Sequence, residues 1–259
     1  MTSVQTQITL KRFSGKEPAD LKLICFPYAG GSAGIFRSWA GFFPEAVSVY
    51  GVNLPGRDEN IGSECLDNLL EIARGVADCL ENECAGPSVF FGHSMGALVA
   101  WATARELRKR ELSLPLQLFL SGMNAPSVPR DEFSHLDDDA FIQKLLDMSE
   151  GSPAIFDKIS MIREEPELIE LMLPVVRADV RSVDSYSYTR EAPLACPIFS
   201  FYGNMDRQTA PEAIAAWKYE TEGSFGMHEC DGSHFFLHDR EPEVLDKIKA
   251  VLSERDIKI

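Results

Sequence analysis

The stretch that decides the fold is Val89-Phe90-Phe91-Gly92-His93-Ser94-Met95-Gly96. Its three apolar residues predict a buried strand, and the apolar-rich residues 97–110 predict a helix. A Gly-x-Ser-x-Gly pattern between a strand and a helix is typical of a nucleophile elbow, a strained turn that lifts a serine above the sheet edge. We therefore expect Ser94 to be a nucleophile and the Met95 amide to face a developing oxyanion. An ordinary serine in a glycine-rich turn is the alternative.

Short apolar runs alternate with helical patterns on both sides of this elbow. Continuous apolar strands are typical of a parallel sheet buried on both faces, and strand–helix alternation predicts an α/β fold. We expect one domain over residues 1–259, built on a mostly parallel, doubly wound sheet. The predicted strands are 21–26, 47–53, 88–92, 116–121, 197–203 and 225–230. The predicted helices are 35–43, 66–83, 95–110, 211–220 and 244–253.

Residues 124–195 interrupt this alternation, because they contain helical stretches and no good strand. Helices are predicted at 137–148 and 166–176. A long insertion between two sheet strands is usually functional, so we expect a helical lid, with a solvated decoration as the alternative. Three lid side chains at helical spacing are expected to contact the substrate, although a packed helix would show the same spacing. They are Phe141, Leu145 and Met148.

The composition excludes several classes of protein. The 259 residues include 25 Lys+Arg and 40 Asp+Glu, a net charge of −15, and they are 45% hydrophobic, which excludes disorder. Such an acidic chain is not expected to bind nucleic acid or an anionic membrane surface. Residues 84–104 carry no charge, but Pro87 and the elbow interrupt them, so no membrane span is expected. The polar start and the six cysteines without a Cys-x-x-Cys pair favour a cytoplasmic protein with reduced thiols.

A serine nucleophile needs a base that is held by an acid. His234 follows the last predicted strand and Asp206 follows the strand before it, so both belong to loops at the carboxyl edge of the sheet. The order Ser94, Asp206, His234 is nucleophile, acid, base, as in hydrolases with an elbow. Capping of the helix near residue 211 is the alternative role of Asp206. The weaker candidates are His93, His135, His228 and His238 for the base, and Asp179 and Asp184 for the acid.

The loop after the first predicted strand reads Phe26-Pro27-Tyr28-Ala29-Gly30-Gly31-Ser32. Its glycines let backbone amides approach a substrate, so we expect a second oxyanion donor here. The loop lacks the Lys-Ser/Thr ending of a phosphate-binding loop. No cluster of His, Cys and Asp has metal-ligand spacing and no Gly-x-Gly-x-x-Gly is present, so the expected chemistry needs neither a metal nor a cofactor.

Several motifs occur together and in order along nearly the whole chain. They are the loop at 26–31, Leu-Pro-Gly-Arg at 54–57, the elbow at 92–96, Leu-Pro-Val-Val-Arg-Ala-Asp at 173–179, Gly-Asn-Met-Asp at 203–206 and Gly-Ser-His at 232–234. In combination they resemble the type II thioesterases of nonribosomal peptide and polyketide synthesis, including antibiotic biosynthesis.

The resemblance implies an α/β-hydrolase fold with a helical lid, and a free-standing editing enzyme. Such an enzyme hydrolyses acyl, aminoacyl or peptidyl thioesters from the phosphopantetheine arm of acyl or peptidyl carrier protein domains, through an acyl-serine. The substrate itself carries the phosphopantetheine, and no further cofactor is implied. The triad would be Ser94, Asp206 and His234, and the oxyanion donors would be the amides of Ala29 and Met95.

Two further residues near the expected site are candidates for substrate contacts. Tyr28 lies beside the expected oxyanion donor in the loop at 26–32. Arg57 follows the predicted strand 47–53 and could hold the phosphopantetheine phosphate or an acidic carrier side chain. A salt bridge that fixes the turn at 55–56 is an equally weighted alternative for Arg57.

Other functions remain open at this point. A general carboxylesterase or an acyltransferase acting on small-molecule or CoA esters would use the same elbow. An acyltransferase of the malonyl type would place an arginine after the serine to hold a carboxylate, but residues 118–121 are Leu-Phe-Leu-Ser. A catalytically silent hydrolase fold that only binds a partner is disfavoured by the complete set of Ser, Asp and His.

Overall fold

The computed structural model describes residues 8–16 and 18–257. Seven strands form one sheet in the order β1-β3-β2-β4-β5-β6-β7. Only the edge pair β1–β3 is antiparallel, and the other five pairs are parallel. The strands are β1 Thr9–Arg12, β2 Leu21–Phe26, β3 Val47–Asn53, β4 Ser88–His93, β5 Leu118–Ser121, β6 Ile198–Gly203 and β7 Phe225–Cys230.

Helices cover both faces of the sheet, so two apolar cores form, one on each side. On one side α1 and α2 pack against the sheet, and Trp101 of α2 is among the buried residues. On the other side lie α8 and a 3-10 helix at Ala33–Gly41, and the buried rings of Phe36 and Trp39 from the 3-10 helix pack in this core with Phe91 of β4. The helices are α1 Leu69–Glu83, α2 Met95–Lys109, α3 Asp138–Ser149, α4 Pro153–Glu164, α5 Pro166–Asp184, α6 Pro211–Ala215, α7 Phe236–Asp239 and α8 Glu241–Glu254. The predicted doubly wound α/β fold is confirmed.

The insertion between β5 and β6 holds α3, α4 and α5, which we call the lid. It has a small core of its own, in which Phe141, Ile142 and Leu146 of α3 pack near Leu173 and Val180 of α5. The guanidinium of Arg177 lies 4.3 Å from the ring centre of Phe141 and donates to the carbonyl oxygens of Ser134 and Leu136. The lid is thus a packed subassembly rather than a solvated decoration.

Several elements differ from the sequence predictions. The strand β1 was missed because it is short, polar and at the sheet edge. The predicted helix 35–43 is a 3-10 helix that begins after Ser32, whose hydroxyl accepts from the Gly34 amide. Helix α4 was not predicted. Helix α5 continues beyond the predicted end at residue 176 to Asp184, with Pro174 inside it, because burial of its apolar face outweighs the hydrogen bond that proline removes.

The charge-free residues 84–104 form β4, the elbow and the first part of α2. Within residues 8–16 and 18–257, no helix combines the length and apolarity needed to cross a membrane.

The first turn of α2 lies directly against the end of β2. A Cβ atom at Gly96 would overlap the carbonyl oxygen of Phe26, and a Cβ atom at Gly92 would overlap the backbone of Gly96 itself. Both glycines of the elbow are therefore required by close approach of backbone to backbone.

We expect Gly96→Ala to destabilise the fold by about 2–3 kcal/mol or more, since the carbonyl of a central strand cannot move aside freely. The measurement is urea unfolding followed by circular dichroism. Gly62→Ala is the matched control, because a Cβ atom at Gly62 meets no atom within 4 Å. It should shift the unfolding free energy by no more than about 0.5 kcal/mol. Equal losses in both variants would contradict the close-approach argument.

Candidate active site

The serine of the elbow has the backbone conformation that the motif predicts. Ser94 has φ 54° and ψ −123°, a strained combination for a residue with a side chain. Its amide donates to the carbonyl of Ser121 at 2.7 Å, which ties the turn to the neighbouring strand β5. The turn ends β4 and begins α2, so the Ser94 side chain leaves the sheet at its carboxyl edge.

The three residues predicted as a triad lie in one hydrogen-bonded chain. The Ser94 hydroxyl lies 2.9 Å from His234 Nε2, and His234 Nδ1 lies 2.9 Å from Asp206 Oδ2. Both His234 and Asp206 are buried. An ionised carboxylate can only accept a hydrogen bond, so His234 Nδ1 carries the proton and donates the hydrogen bond to Asp206. Nε2 is then free to accept from the hydroxyl of Ser94.

The environment of Asp206 keeps its carboxyl group ionised. Burial on its own would raise the pKa of Asp206, but His234 and the hydrogen bonds from the Gln208 amide and the Thr209 hydroxyl outweigh it. The pKa of Asp206 therefore lies below its ordinary value. A carboxylate that stays ionised can orient the imidazole of His234 and stabilise its charged form.

The histidine of the elbow supports the base rather than replacing it. His93 is fully buried, with Nε2 2.9 Å from the carbonyl oxygen of His234 and Nδ1 2.9 Å from the hydroxyl of Ser121. A carbonyl can only accept, so Nε2 is the donor and Nδ1 accepts from Ser121. Burial lowers the pKa of His93 well below its ordinary value, and the nearby His234 and His238 lower it further. His93 is thus a neutral ring that fixes the backbone of His234.

Two backbone amides near Ser94 have no partner. Among the described residues, neither the Ala29 amide nor the Met95 amide donates a hydrogen bond to another group of the protein. Ala29, Met95 and Ser94 all line one cavity. This arrangement suits the predicted oxyanion donors, which stabilise charge only if they are free before the reaction.

Tyr28 faces this site, but its hydroxyl is already bound. The hydroxyl lies 2.9 Å from Nε2 of His238, and the ring packs edge-on against His93 and Phe235. Burial raises the pKa of Tyr28 to about 12, so the hydroxyl is neutral. Of the histidines considered as base, His234 lies within hydrogen-bond distance of Ser94, whereas His238 binds Tyr28.

Arg57 is not available to a phosphate. Its guanidinium forms a two-pronged ion pair with Asp179 of the lid helix α5, at 2.7 and 2.8 Å. It also donates to the carbonyl oxygens of Gly31 and Pro55. Both charged side chains are buried. The expectation of a substrate-binding Arg57 is corrected, and the alternative of a structural salt bridge is what the structure contains, with a lid residue as the partner.

Two cavities lie beneath the lid and share the lining residues Tyr28, Ala29, Leu145 and Phe235. The smaller, about 210 Å³, includes Ser94 and His234, and the larger, about 500 Å³, lies between α4, α5 and the loop at 26–32. Leu145 lines both cavities and Met148 lines the smaller one, as expected of substrate contacts. Phe141 lines neither, because its ring points into the core of the lid and is wholly buried. That prediction is corrected.

One further cluster was not indicated by the sequence. His228 Nε2, Cys230 Sγ and a carboxylate oxygen of Glu243 lie within 4.8 Å of one another. Burial and the neighbouring Glu243 raise the pKa of Cys230 to about 12, and His228 lies 2.8 Å from Glu243. The thiol is therefore protonated. Within the described ranges no fourth donor joins the three, whereas a structural zinc site has four, so hydrogen bonding accounts for the cluster.

A hydrogen-bonded Ser, His and Asp at the carboxyl edge of a parallel sheet, beneath a helical lid, is the arrangement of an α/β-hydrolase. The thioesterase domain family matches residues 21–252, nearly the whole chain. The chain belongs to this family of hydrolases.

Several of its relatives come from the biosynthesis of peptide and polyketide products. The gramicidin S biosynthesis protein GrsT of Aneurinibacillus migulanus is 37% identical over 231 residues, which cover 88% of this chain and 87% of the relative. The type II thioesterase BorB from the borrelidin biosynthetic cluster superposes with a TM-score of 0.84 at 29% identity, covering 93% of this chain and 96% of BorB. The RedJ thioesterase of the prodiginine pathway in Streptomyces coelicolor gives 0.81 at 35% identity, covering 89% and 85%. The resemblance to type II thioesterases is confirmed.

The buried, neutral His93 predicts a pH dependence of stability. Its folded-state pKa is lowered, so only the unfolded chain takes up a proton as the pH falls below about 6.5. From this residue we expect the free energy of unfolding to fall by up to about 1.4 kcal/mol per pH unit between pH 6.5 and 5. His93→Gln should make this slope shallower in urea unfolding. The exposed His135 is the control, and a His135→Gln variant with the same shallow slope would contradict the assignment.

Proposed function

We propose that this chain is a type II thioesterase that removes acyl, aminoacyl or peptidyl groups from the phosphopantetheine arm of carrier protein domains. The observation that carries the proposal is the hydrogen-bonded chain Ser94–His234–Asp206, which opens into a cavity under the lid. The phosphopantetheine belongs to the substrate, and the chemistry needs no other cofactor. The relatives support this reading over the general carboxylesterase, which no feature of the site favours.

In the acylation step, His234 Nε2 takes the hydroxyl proton of Ser94 as Oγ attacks the thioester carbonyl. The carbonyl oxygen becomes an oxyanion that the amides of Ala29 and Met95 stabilise. The C–S bond then breaks, and the sulfur leaves as a thiol after His234 returns the proton. A thiolate leaves more readily than an amine, so this step needs less acid assistance than peptide cleavage.

In the deacylation step, a water molecule replaces the departed thiol. His234 takes one of its protons as the water oxygen attacks the acyl-Ser94 carbonyl, and a second oxyanion forms at the same amides. The C–Oγ bond breaks, Ser94 regains its proton from His234, and the free acid leaves. Through both steps Asp206 remains ionised and stabilises the charged imidazole.

The two cavities suit the two ends of the substrate. The larger is lined mainly by apolar side chains of α4 and α5, including Ile155, Ile159 and Ile162, and its volume of about 500 Å³ suits an acyl chain. The lining of the smaller is more polar and mixes two arginines, Arg130 and Arg207, with Asp131 and Asp184, so it suits an arm that carries amides and ends in a phosphate. The substrate would thus enter through the smaller cavity and place its acyl group in the larger.

The charge of the lid limits how a carrier domain docks. Residues 131–171 hold 12 acidic and 3 basic side chains, and they belong mostly to the lid. Carrier domains of the kind implied by the resemblance are usually acidic, so the exterior of the lid would repel them. With Arg57 buried in its pair with Asp179, Arg207 is the better candidate to meet the phosphate, because it lines the smaller cavity and its 3.4 Å pair with Glu150 is exposed to solvent.

The proposed nucleophile is tested with Ser94→Ala. We expect kcat on an acyl-carrier substrate to fall by about 10³-fold or more, because only the oxyanion donors remain, and labelling by a fluorophosphonate to disappear. His234→Ala should show a similar loss. His238→Ala is the matched control and should retain turnover within about tenfold, since its ring binds Tyr28 and not Ser94. Near-normal turnover in Ser94→Ala would refute the mechanism.

The proposed orientation of the substrate is tested from both cavities. Ile159→Phe narrows the larger cavity, so we expect kcat/KM to fall about 10- to 100-fold for long acyl chains and to stay unchanged for acetyl, at about 0.8 kcal/mol per excluded methylene. Met148→Phe narrows the smaller cavity and should weaken all chain lengths alike. Met161→Phe, on the exposed side of α4, is the control. If kcat/KM depended on acyl chain length in Met148→Phe but not in Ile159→Phe, the acyl group would lie in the smaller cavity instead.

A further inference from the structure

The proposed oxyanion loop is fastened to the lid rather than to the sheet alone. The amide of Gly30 donates to Oδ2 of Asp179 at 2.7 Å, and the carbonyl of Gly31 accepts from Arg57 at 3.0 Å. Asp179 belongs to α5 and is fully buried. One carboxylate of the lid therefore binds both the loop and the arginine that follows β3.

These contacts fix the direction of the Ala29 amide. Its N–H lies in the same planar peptide unit as the carbonyl of Tyr28, and the two point in opposite directions. That carbonyl accepts from the Gly31 amide at 2.8 Å. The next peptide unit is held by the bond from Gly30 to Asp179. Rotation of the Ala29 amide away from the cavity would break at least one of these bonds.

The same segment of α5 packs directly against the loop and against the elbow. Gly30 has φ 76°, and a Cβ atom there would lie 2.8 Å from a methyl group of Val176 on α5. Nearly two turns further along α5, the Ser182 hydroxyl lies 3.7 Å from the sulfur of Met95, the residue whose amide is the other proposed donor. Both donors therefore adjoin one segment of the lid helix, residues 176–182.

A buried ion pair is not needed for stability alone, since apolar residues of similar size often serve as well. What apolar residues cannot supply is an acceptor for the Gly30 amide. We propose that Asp179, held by Arg57, is a positioning residue that aims the Ala29 amide at the oxyanion and makes hydrolysis depend on a seated lid helix. This inference rests on the proposed function, because it assigns Ala29 to the oxyanion of that reaction.

A matched pair of double variants tests the acceptor apart from the charge. Arg57→Met with Asp179→Asn removes the ion pair but keeps a side-chain oxygen for the Gly30 amide. Arg57→Met with Asp179→Leu removes both at nearly the same volume. Loss of one oxyanion donor lowers kcat by about 10²- to 10³-fold, so we expect the Leu pair to lose at least about tenfold in kcat relative to the Asn pair, with KM unchanged. A boronic acid transition-state analogue should weaken by a similar factor.

Two further measurements keep the test decisive. Arg163→Gln removes a hydrogen bond from α4 to Gln143 of α3, away from the loop and from residues 176–182, and it should leave kcat within about threefold. If the Leu pair does not fold, Asp179→Glu keeps the charge but displaces the carboxylate, and kcat should fall in the folded enzyme. Equal kcat and equal analogue affinity in the Asn and Leu pairs would overturn the inference.

The rate of fluorophosphonate labelling separates this inference from the proposed function. Phosphonylation of Ser94 also places an oxygen at the Ala29 amide, so the Leu pair should react more slowly than the Asn pair. If the unaltered enzyme is labelled but does not hydrolyse acyl-carrier thioesters, the proposed function fails and the labelling rates still decide the role of Asp179. Equal labelling rates in the Asn and Leu pairs would then refute the positioning role of Asp179.

Discussion

A serine held at φ 54° stores roughly 1–3 kcal/mol of backbone strain, and it keeps that conformation only because its surroundings leave no alternative. The amide of Ser94 is bound to β5, and the turn of α2 behind it lies against the end of β2 at Gly96. The position of the hydroxyl, the start of α2 and the reach of His234 all follow from this turn. The strain is thus offset by the packing of the three central strands, β2, β4 and β5, and the nucleophile lies where these strands meet α2.

The parts of the site that the sequence predicted are those with local backbone requirements. The glycines of the elbow, where two backbone segments touch, form a short sequence pattern that locates Ser94. Asp206 and His234 could be located because each lies in a loop that directly follows a predicted buried strand. The pair Arg57–Asp179 could not, because its members are 122 residues apart and nothing in either segment indicates the other. Asp179 was considered only as a reserve acid, although a carboxylate on the apolar face of a helix was a usable signal. Phe141 failed for a related reason, since helical spacing does not tell which of two apolar environments a face meets.

Three polar side chains beneath the lid, those of His93, Tyr28 and Asp179, are buried or half-buried, and each is matched to a partner. The neutral His93 donates to the backbone of His234, and the Tyr28 hydroxyl binds His238. Asp179 accepts hydrogen bonds from Arg57 and from the Gly30 amide of the loop at 26–32. Unmatched polar groups at such depth would cost about 1–3 kcal/mol each, so these pairs restrict the site to one arrangement. The amides of Ala29 and Met95 are different, because among the described residues neither donates a hydrogen bond. Unpaired amides are what we expect of groups that bind the oxyanion of a reaction intermediate.

The proline within α5 divides the lid helix into two mechanical parts. Pro174 has no amide hydrogen, so the bond that would join it to the carbonyl of Glu170 is missing. Before this gap, Leu171 and Met172 line the larger cavity; after it, Val175 and Val176 line the same cavity and Asp179 is bound to Arg57 and to the loop at 26–32. Bending at the gap breaks no hydrogen bond that proline has not already removed. The turn before Pro174 can therefore shift outward while the turns after it stay bound to Arg57 and to the loop, so the width of the larger cavity and the position of the proposed oxyanion loop depend on different turns of one helix.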